Sequence, residues 1–275
     1  MNRKKLWDNG TPNFEPSFDQ NEPSLLPFIA EAKTDDNGNP IKTGCVIVCP
    51  GGAYYGHASY EGDPVSEYIR DHGISAFTLE YRYYPYDYVA IHADINRAVR
   101  WVRYHAEEYN IDPDKIAVMG FSAGGHLACA GATVFDYGVE TGDEIDKLSC
   151  RPDAAILCYP VVSMKRAVTH EDTRFVFIGR YEEEFKEGTL VPRFSGEEAV
   201  KEDTPPMFIW HTAADSAVKV ENSLFLATSL AKYKIPFELH VFPEGEHGLN
   251  LALDFDGGAK AWAPLMIDWL KRMDY

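Results

Sequence analysis

The chain has no C-x-x-C pair, no cysteine–histidine spacing of a metal site, no P-loop and no G-x-G-x-x-G turn. Chemistry that leans on a bound metal, a nucleotide phosphate or a dinucleotide is therefore not expected, and no cofactor and no metal are assigned. No pair of carboxylates stands at a spacing that suggests a glycosidase. The five cysteines (Cys45, Cys49, Cys129, Cys150, Cys158) are odd in number, and Cys45, Cys49 and Cys158 sit in apolar, strand-like runs where a free thiol acts as a small hydrophobe. That pattern argues against a disulfide framework and for a reducing, cytoplasmic setting. The basic start Arg3-Lys4-Lys5 leads into polar residues and prolines rather than a hydrophobic leader, and the apolar runs fall far short of the roughly 20 residues a membrane span needs. Positive charge is scarce: 26 Lys and Arg face 43 Asp and Glu, for a net charge of −17. A field of that sign opposes encounter with nucleic acid and with anionic membranes, so neither is expected as a partner.

What is present is a large apolar complement, 45% of 275 residues, enough for a core that needs no staples and for one domain over residues 1–275. Residues 1–40 are rich in Asn, Pro and Asp and read as an irregular arm with an edge strand at Leu25–Ala30. Asp35-Asp36-Asn37-Gly38-Asn39-Pro40 is a turn cluster. Cys45–Cys49 is short, continuous and bounded by turn residues, the pattern of a strand buried on both faces. Further strands are expected at 75–81, 115–119, 154–159, 207–211 and 237–242. Helices are expected near 63–72, 90–109, 122–135, 220–231 and 262–273. Strands alternating with helices imply right-handed crossovers, hence an α/β fold with a mostly parallel central sheet and helices on both faces. Residues 163–203 form a polar excursion too short for a domain and longer than an ordinary connection; it is expected to lie over the active site.

The strand at 115–119 ends in Gly120-Phe121-Ser122-Ala123-Gly124, a G-x-S-x-G turn followed by small helix formers. That context pushes a serine hydroxyl out on a tight turn, but five residues alone are a weak signal. A serine needs a base to take its proton and a third group to hold the base's tautomer. Asp215 follows the strand at 207–211, and His247 follows the strand at 237–242 within Pro243-Glu244-Gly245-Glu246-His247-Gly248. Order and strand-end placement suit acid and base, because functional groups of parallel sheets gather at the carboxyl ends of strands. Asp215 could equally be a turn or helix-capping residue. His126, Glu244 and Glu246 read as structural or solvated. Pro50-Gly51-Gly52-Ala53 follows the first buried strand and could bring backbone N–H groups close to an oxyanion, with Ala123 supplying another; a plain turn is the simpler alternative. Tyr54, Tyr55, Tyr83 and Tyr84 could line the pocket or pack in the core.

Taken together, Pro50-Gly51-Gly52-Ala53-Tyr54, Gly120–Ala128, Thr204-Pro205-Pro206, Trp210–Asp215 and Pro243–Gly248 resemble the α/β-hydrolase superfamily. Within it they are similar to the acetyl esterases and acetyl-xylan-esterase-like proteins related to hormone-sensitive lipase. The resemblance implies Ser122 as nucleophile, His247 as general base and acid, and Asp215 as its orienting partner. It makes Gly52, Ala53 and Ala123 the oxyanion-hole donors. Apart from the resemblance, Tyr54 and Tyr55 are expected as substrate contacts, since rings at the pocket mouth could stack on sugars, although aromatics at loop–sheet junctions are more often core packing. Relatives usually carry three glycines, or His-Gly-Gly-Gly, where this chain has Pro50-Gly51-Gly52-Ala53, and often Asp where Ala214 stands. The short arm supplies no large helical cap, which argues against long acyl chains. The function so implied is a serine carboxylesterase acting on short-chain, chiefly acetyl, esters of sugars or oligosaccharides, its partner a small acylated carbohydrate. A serine peptidase or amidase on the same fold is the alternative, and a non-catalytic ligand-binding relative a further one. The sequence sets no oligomeric state.

Overall fold

A computed structural model describes residues 2–275. Its ten strands are β1 (Lys4–Lys5), β2 (Ser24–Phe28), β3 (Lys33–Thr34), β4 (Pro40–Ile41), β5 (Thr43–Cys49), β6 (Ser75–Glu80), β7 (Ile111–Phe121), β8 (Ala154–Cys158), β9 (Met207–Thr212) and β10 (Phe237–Phe242). The helices are α1 (Asp63–Asp71), α2 (Tyr88–Tyr104), α3 (Ser122–Thr133), α4 (Glu171–Ile178), α5 (Glu183–Phe185), α6 (Val191–Phe194), α7 (Gly196–Ala199), α8 (Glu221–Tyr233) and α9 (Trp262–Arg272). Eight strands make one sheet in the order β1-β2-β6-β5-β7-β8-β9-β10. From β6 to β10 every pairing is parallel, while β2 runs antiparallel to β6 and β1 antiparallel to β2. The turn cluster at 35–40 closes the separate β3–β4 hairpin.

Why β5 is apolar without alternation follows from the two cores. Cys45, Ile47 and Cys49 face a core built with α2 and α3, through Ile91, Ile95, Val99 and Leu127. Val46 and Val48 face the other, built with α1 and α9, through Val65, Ile69, Trp262, Met266 and Leu270. A strand sandwiched in this way needs apolar side chains at both parities. On the second face Trp210 of β9 stacks on Trp262 of α9, with centroids 4.8 Å apart and planes 16° off parallel.

The arm is tied down by buried charge. Arg82, fully buried, binds Asp94 of α2 at 2.6 Å and reaches back to the Pro12 carbonyl at 2.7 Å. Residues 163–203 hold α4 to α7, and they dock through aromatic rings. Phe177 stacks on Tyr54 at 5.3 Å and meets the His126 ring edge-on at 4.8 Å. His126, on α3, bonds Tyr54 Oη through Nδ1 (2.9 Å) and the Phe194 carbonyl through Nε2 (2.9 Å). Since the carbonyl can only accept, Nε2 carries the hydrogen and Nδ1 accepts from the tyrosine.

Burial holds the His126 imidazole neutral, pushing it down to about 4. In the unfolded chain the ring takes up a proton near its ordinary value of 6.5. Its contribution to stability is therefore complete above that value and lost as pH falls toward 4. Comparison with His126→Gln isolates this share from that of other buried groups. The difference in Tm between the wild type and this variant is expected to shrink as pH is lowered from about 6.5 to 4; a constant difference would refute the neutral clamp.

Candidate active site

Three strand ends converge on one serine. β7 stops at Phe121, and Ser122 opens α3 with φ +53°, a conformation costing an L residue roughly 1–2 kcal/mol. The turn is this tight because the chain leaves no room for a Cβ on Gly120, which would collide with the Gly124 carbonyl, or on Gly124, which would strike the Cys49 and Pro50 carbonyls. His247 Nε2 lies 2.8 Å from Ser122 Oγ, and its Nδ1 lies 2.7 Å from Asp215 Oδ2. Asp215 is buried just beyond β9, and its Oδ1 accepts the N–H groups of Ala217 (3.0 Å) and Val218 (2.8 Å). Burial alone would raise this carboxyl, but hydrogen bonds from His211, His247 and the Val218 amide outweigh it and hold the group well below the ordinary carboxylate range. The Asp215 side chain is thus both a turn-forming residue and the partner of His247. Thr212 Oγ1 donates to the Gly245 carbonyl at 2.6 Å, fixing the β10 loop that carries the histidine.

Beside the serine, the Gly51–Ala53 turn follows β5. Gly52 has φ +128° and Ala53 φ +52°. The N–H groups of Gly52 and Ala53 have no acceptor among the described residues. Ala123 stands in the first turn of α3, where amides lack intrahelical acceptors. Gly52, Ala53, Ser122 and His247 line one cavity of about 230 Å³, together with Ala58, Tyr60, Glu61 and His170. A larger recess of about 710 Å³, walled by Ile29, Lys33, Arg70 and His72, lies at the opposite end of the parallel strands and has no serine, threonine or cysteine in its lining.

Two of the aromatic expectations need correction. Tyr54 is fully buried, bonded to His126 and stacked on Phe177, so it anchors the excursion and does not face the cavity. The left-handed φ values of Ala53 and Tyr54 itself (+62°) turn its ring inward. Tyr55 is 47% exposed and packs against Tyr84 at 5.4 Å, outside the cavity wall; Tyr83 meets His57 instead. His126 is structural, and Glu244 and Glu246 are exposed.

Three residues that the sequence did not single out do face the serine. His170 caps α4, its Nδ1 accepting from Thr173, which leaves its other edge for the cavity; burial lowers its pKa. The Tyr60 hydroxyl lies at Gly248, next to His247. Glu61 is buried, its Oε2 accepting the Gly51 N–H (2.9 Å) and its Oε1 the Tyr159 hydroxyl (2.6 Å). Burial raises the Glu61 carboxyl against the opposing pull of Tyr159, Gly51 and His247.

The BD-FAE family model matches residues 34–230. Over 257 residues the chain is 38% identical to endo-1,4-beta-xylanase B of Butyrivibrio fibrisolvens, covering 92% of this chain and 38% of that protein. Over 213 residues it is 31% identical to the acetylxylan esterase of Xylanibacter ruminicola, covering 76% and 42% respectively. It therefore spans about two-fifths of the length of these curated relatives. Among solved structures, the acetyl ester-xyloside bifunctional hydrolase from Caldicellulosiruptor lactoaceticus superposes with a TM-score of 0.91 at 41% identity, over 99% of this chain and 96% of that one. The fold, the serine turn and the family match over most of the sequence lead to one assignment: the chain belongs to the BD-FAE family and has the α/β-hydrolase fold.

Proposed function

We propose that the protein is a serine carboxylic-ester hydrolase that removes short acyl groups, acetyl foremost, from sugars or oligosaccharides. The observation that carries this reading is the continuous chain Ser122–His247–Asp215, with links of 2.8 and 2.7 Å, beside the unpartnered amides of Gly52 and Ala53. His247 Nε2 takes the Ser122 proton as Oγ attacks the ester carbonyl, while Asp215 holds the Nδ1–H tautomer. The carbonyl oxygen becomes an oxyanion accepted by the N–H groups of Gly52, Ala53 and Ala123. Collapse expels the alcohol with the proton from His247. Water, deprotonated by His247 in turn, attacks the acyl-Ser122 ester and releases the acid.

The carbohydrate part of the proposal is supported by the relatives, two of which are named for acetylxylan or for an acetyl ester-xyloside. It is also supported by the polar groups of Tyr60 and His170 in the cavity wall. A cavity of about 230 Å³ favours small acyl groups. A cytoplasmic setting is proposed as well, in keeping with five buried cysteines that carry free thiols.

The test is a panel of p-nitrophenyl esters and acetylated xylosides, with a fluorophosphonate probe to identify the reactive residue. Activity is expected to fall as the acyl chain lengthens from acetyl to octanoyl, and labelling is expected at Ser122. Absence of label on folded protein would sink the proposal. In the same panel, His170→Ala is expected to raise KM for acetylated xylosides three- to tenfold, about the worth of one hydrogen bond, with KM for p-nitrophenyl acetate unchanged. An equal effect on both substrates would remove His170 from sugar recognition.

A further inference from the structure

Glu61 is a buried carboxylate that the acyl-transfer steps above do not use. It closes the short turn Ser59–Glu61 downstream of the oxyanion loop and is 2% exposed. One oxygen accepts the Gly51 N–H, at the residue immediately before the proposed donors. Gly51 is held from its other side too, because its carbonyl accepts the Ala58 N–H at 2.9 Å. A Cβ on Gly51 would lie 2.5 Å from Glu61 Oε2 and 3.1 Å from Ser122 Cβ, so carboxylate, loop and serine stand in mutual contact. The second oxygen accepts from Tyr159, at the end of β8. Burial keeps the proton on that phenol. Tyr159 Oη in turn accepts the Asn250 N–H at 3.0 Å, three residues beyond His247, and the Tyr159 ring meets the His247 ring edge-on at 4.9 Å. The Asn250 carbonyl accepts from Trp262 Nε1 at 3.0 Å.

We infer that Glu61 is a positioning residue that braces the oxyanion loop and the histidine loop against each other. Its two oxygens bond Gly51 directly and Asn250 through Tyr159. This role rests on the acyl-transfer reading of Ser122. A carboxylate suits it because both neighbours present hydrogens: two acceptors on one planar group fix the separation of the two loops. The negative charge lies close enough to His247 for the two groups to interact, and so favours the imidazolium formed when His247 takes the serine proton.

The test compares the wild type, Glu61→Ala, Glu61→Gln and Tyr159→Phe on p-nitrophenyl acetate. Each enzyme is normalised to the sites titrated by a fluorophosphonate, and folding is checked by circular dichroism. Misplacing catalytic donors by an ångström costs about 100-fold, so Glu61→Ala is expected to lose roughly that factor in kcat per titrated site with KM within about twofold. Glu61→Gln, which can still bond Gly51 but lacks the charge, is expected to lose roughly tenfold. Tyr159→Phe, which leaves the Gly51 bond intact and frees Asn250, is expected to lose a further intermediate factor. A merely structural Glu61 would lower Tm and the number of titratable sites while leaving kcat per site unchanged, and that result overturns the inference. If Glu61→Ala does not fold, unchanged kcat per site in the other two variants overturns it equally. Ser122→Ala runs alongside: residual full activity there would defeat the nucleophile assignment itself, an outcome separable from failure of the brace.

Discussion

Ser122→Ala is expected to lower kcat on p-nitrophenyl acetate by about 10⁴- to 10⁶-fold, the loss typical when a serine nucleophile of a triad is removed. Among the described residues of the cavity wall Tyr60 is the other hydroxyl bearer, and its hydroxyl lies at Gly248 with no hydrogen bond to His247, so it has no base to activate it. The residual rate would come from water attacking an ester held by the Gly52, Ala53 and Ala123 amides. The cost in stability should be small. Alanine keeps the Cβ at φ +53° and gives up one hydrogen bond to a half-buried histidine. Ser122→Gly should be equally inactive yet more stable than the alanine variant by about 1 kcal/mol, because glycine occupies the left-handed region without strain. Steady-state kinetics and a thermal melt of the three proteins check both statements. Retention of more than about a tenth of the wild-type rate by either variant would remove Ser122 from the mechanism.

Asp215→Asn should cost about 10⁴-fold in kcat, and the reason is written in the hydrogen bonds around it. Oδ1 accepts two backbone N–H groups, from Ala217 and Val218. In asparagine the carbonyl oxygen must take that place, since an amide NH2 cannot accept them. The NH2 then faces His247 Nδ1, donates to it, and drives the ring hydrogen to Nε2, where it blocks acceptance of the serine proton. The fold should survive, as the turn keeps its acceptor. Replacement by alanine removes the turn acceptor as well and should therefore lower Tm further than asparagine does. The comparison of kcat and Tm across the pair separates the two jobs of one side chain; equal rates for asparagine and wild type would show that tautomer control is not needed.

The parts of the fold legible in sequence were those set by two-sided burial. Cys45–Cys49, Ala154–Cys158 and Met207–His211 are apolar at both parities because helices cover both faces, and the structure places strands over each. Element ends were less legible. β7 begins at Ile111 rather than Lys115, since its start pairs beside Thr43 despite Pro113, and α2 begins at Tyr88 because Asp87 caps it. Ser122, Asp215 and His247 were legible because strand ends in a parallel sheet are forced together, so order along the chain carries spatial information. The direction of Tyr54 is not legible, because an aromatic beside a glycine pair looks the same whether it points out or in; the two left-handed residues that decide it leave no mark in composition. Glu61 was hidden among 43 acidic residues, with nothing local to separate a buried carboxylate from a solvated one. His170 comes from the excursion, whose weak periodicity gave no way to tell which of its residues would turn toward the serine.

The stacked pair Trp210 and Trp262 gives the molecule a built-in optical gauge. Two indoles 4.8 Å apart and nearly parallel couple their transitions, and one of them donates its N–H to the carbonyl of Asn250, on the loop that carries His247. Any displacement of that loop during acylation stretches or breaks the donated bond and changes the polarity at the indole nitrogen. Near-ultraviolet circular dichroism and tryptophan emission are thus expected to respond to the loop's position without a label, over the background of the other three tryptophans.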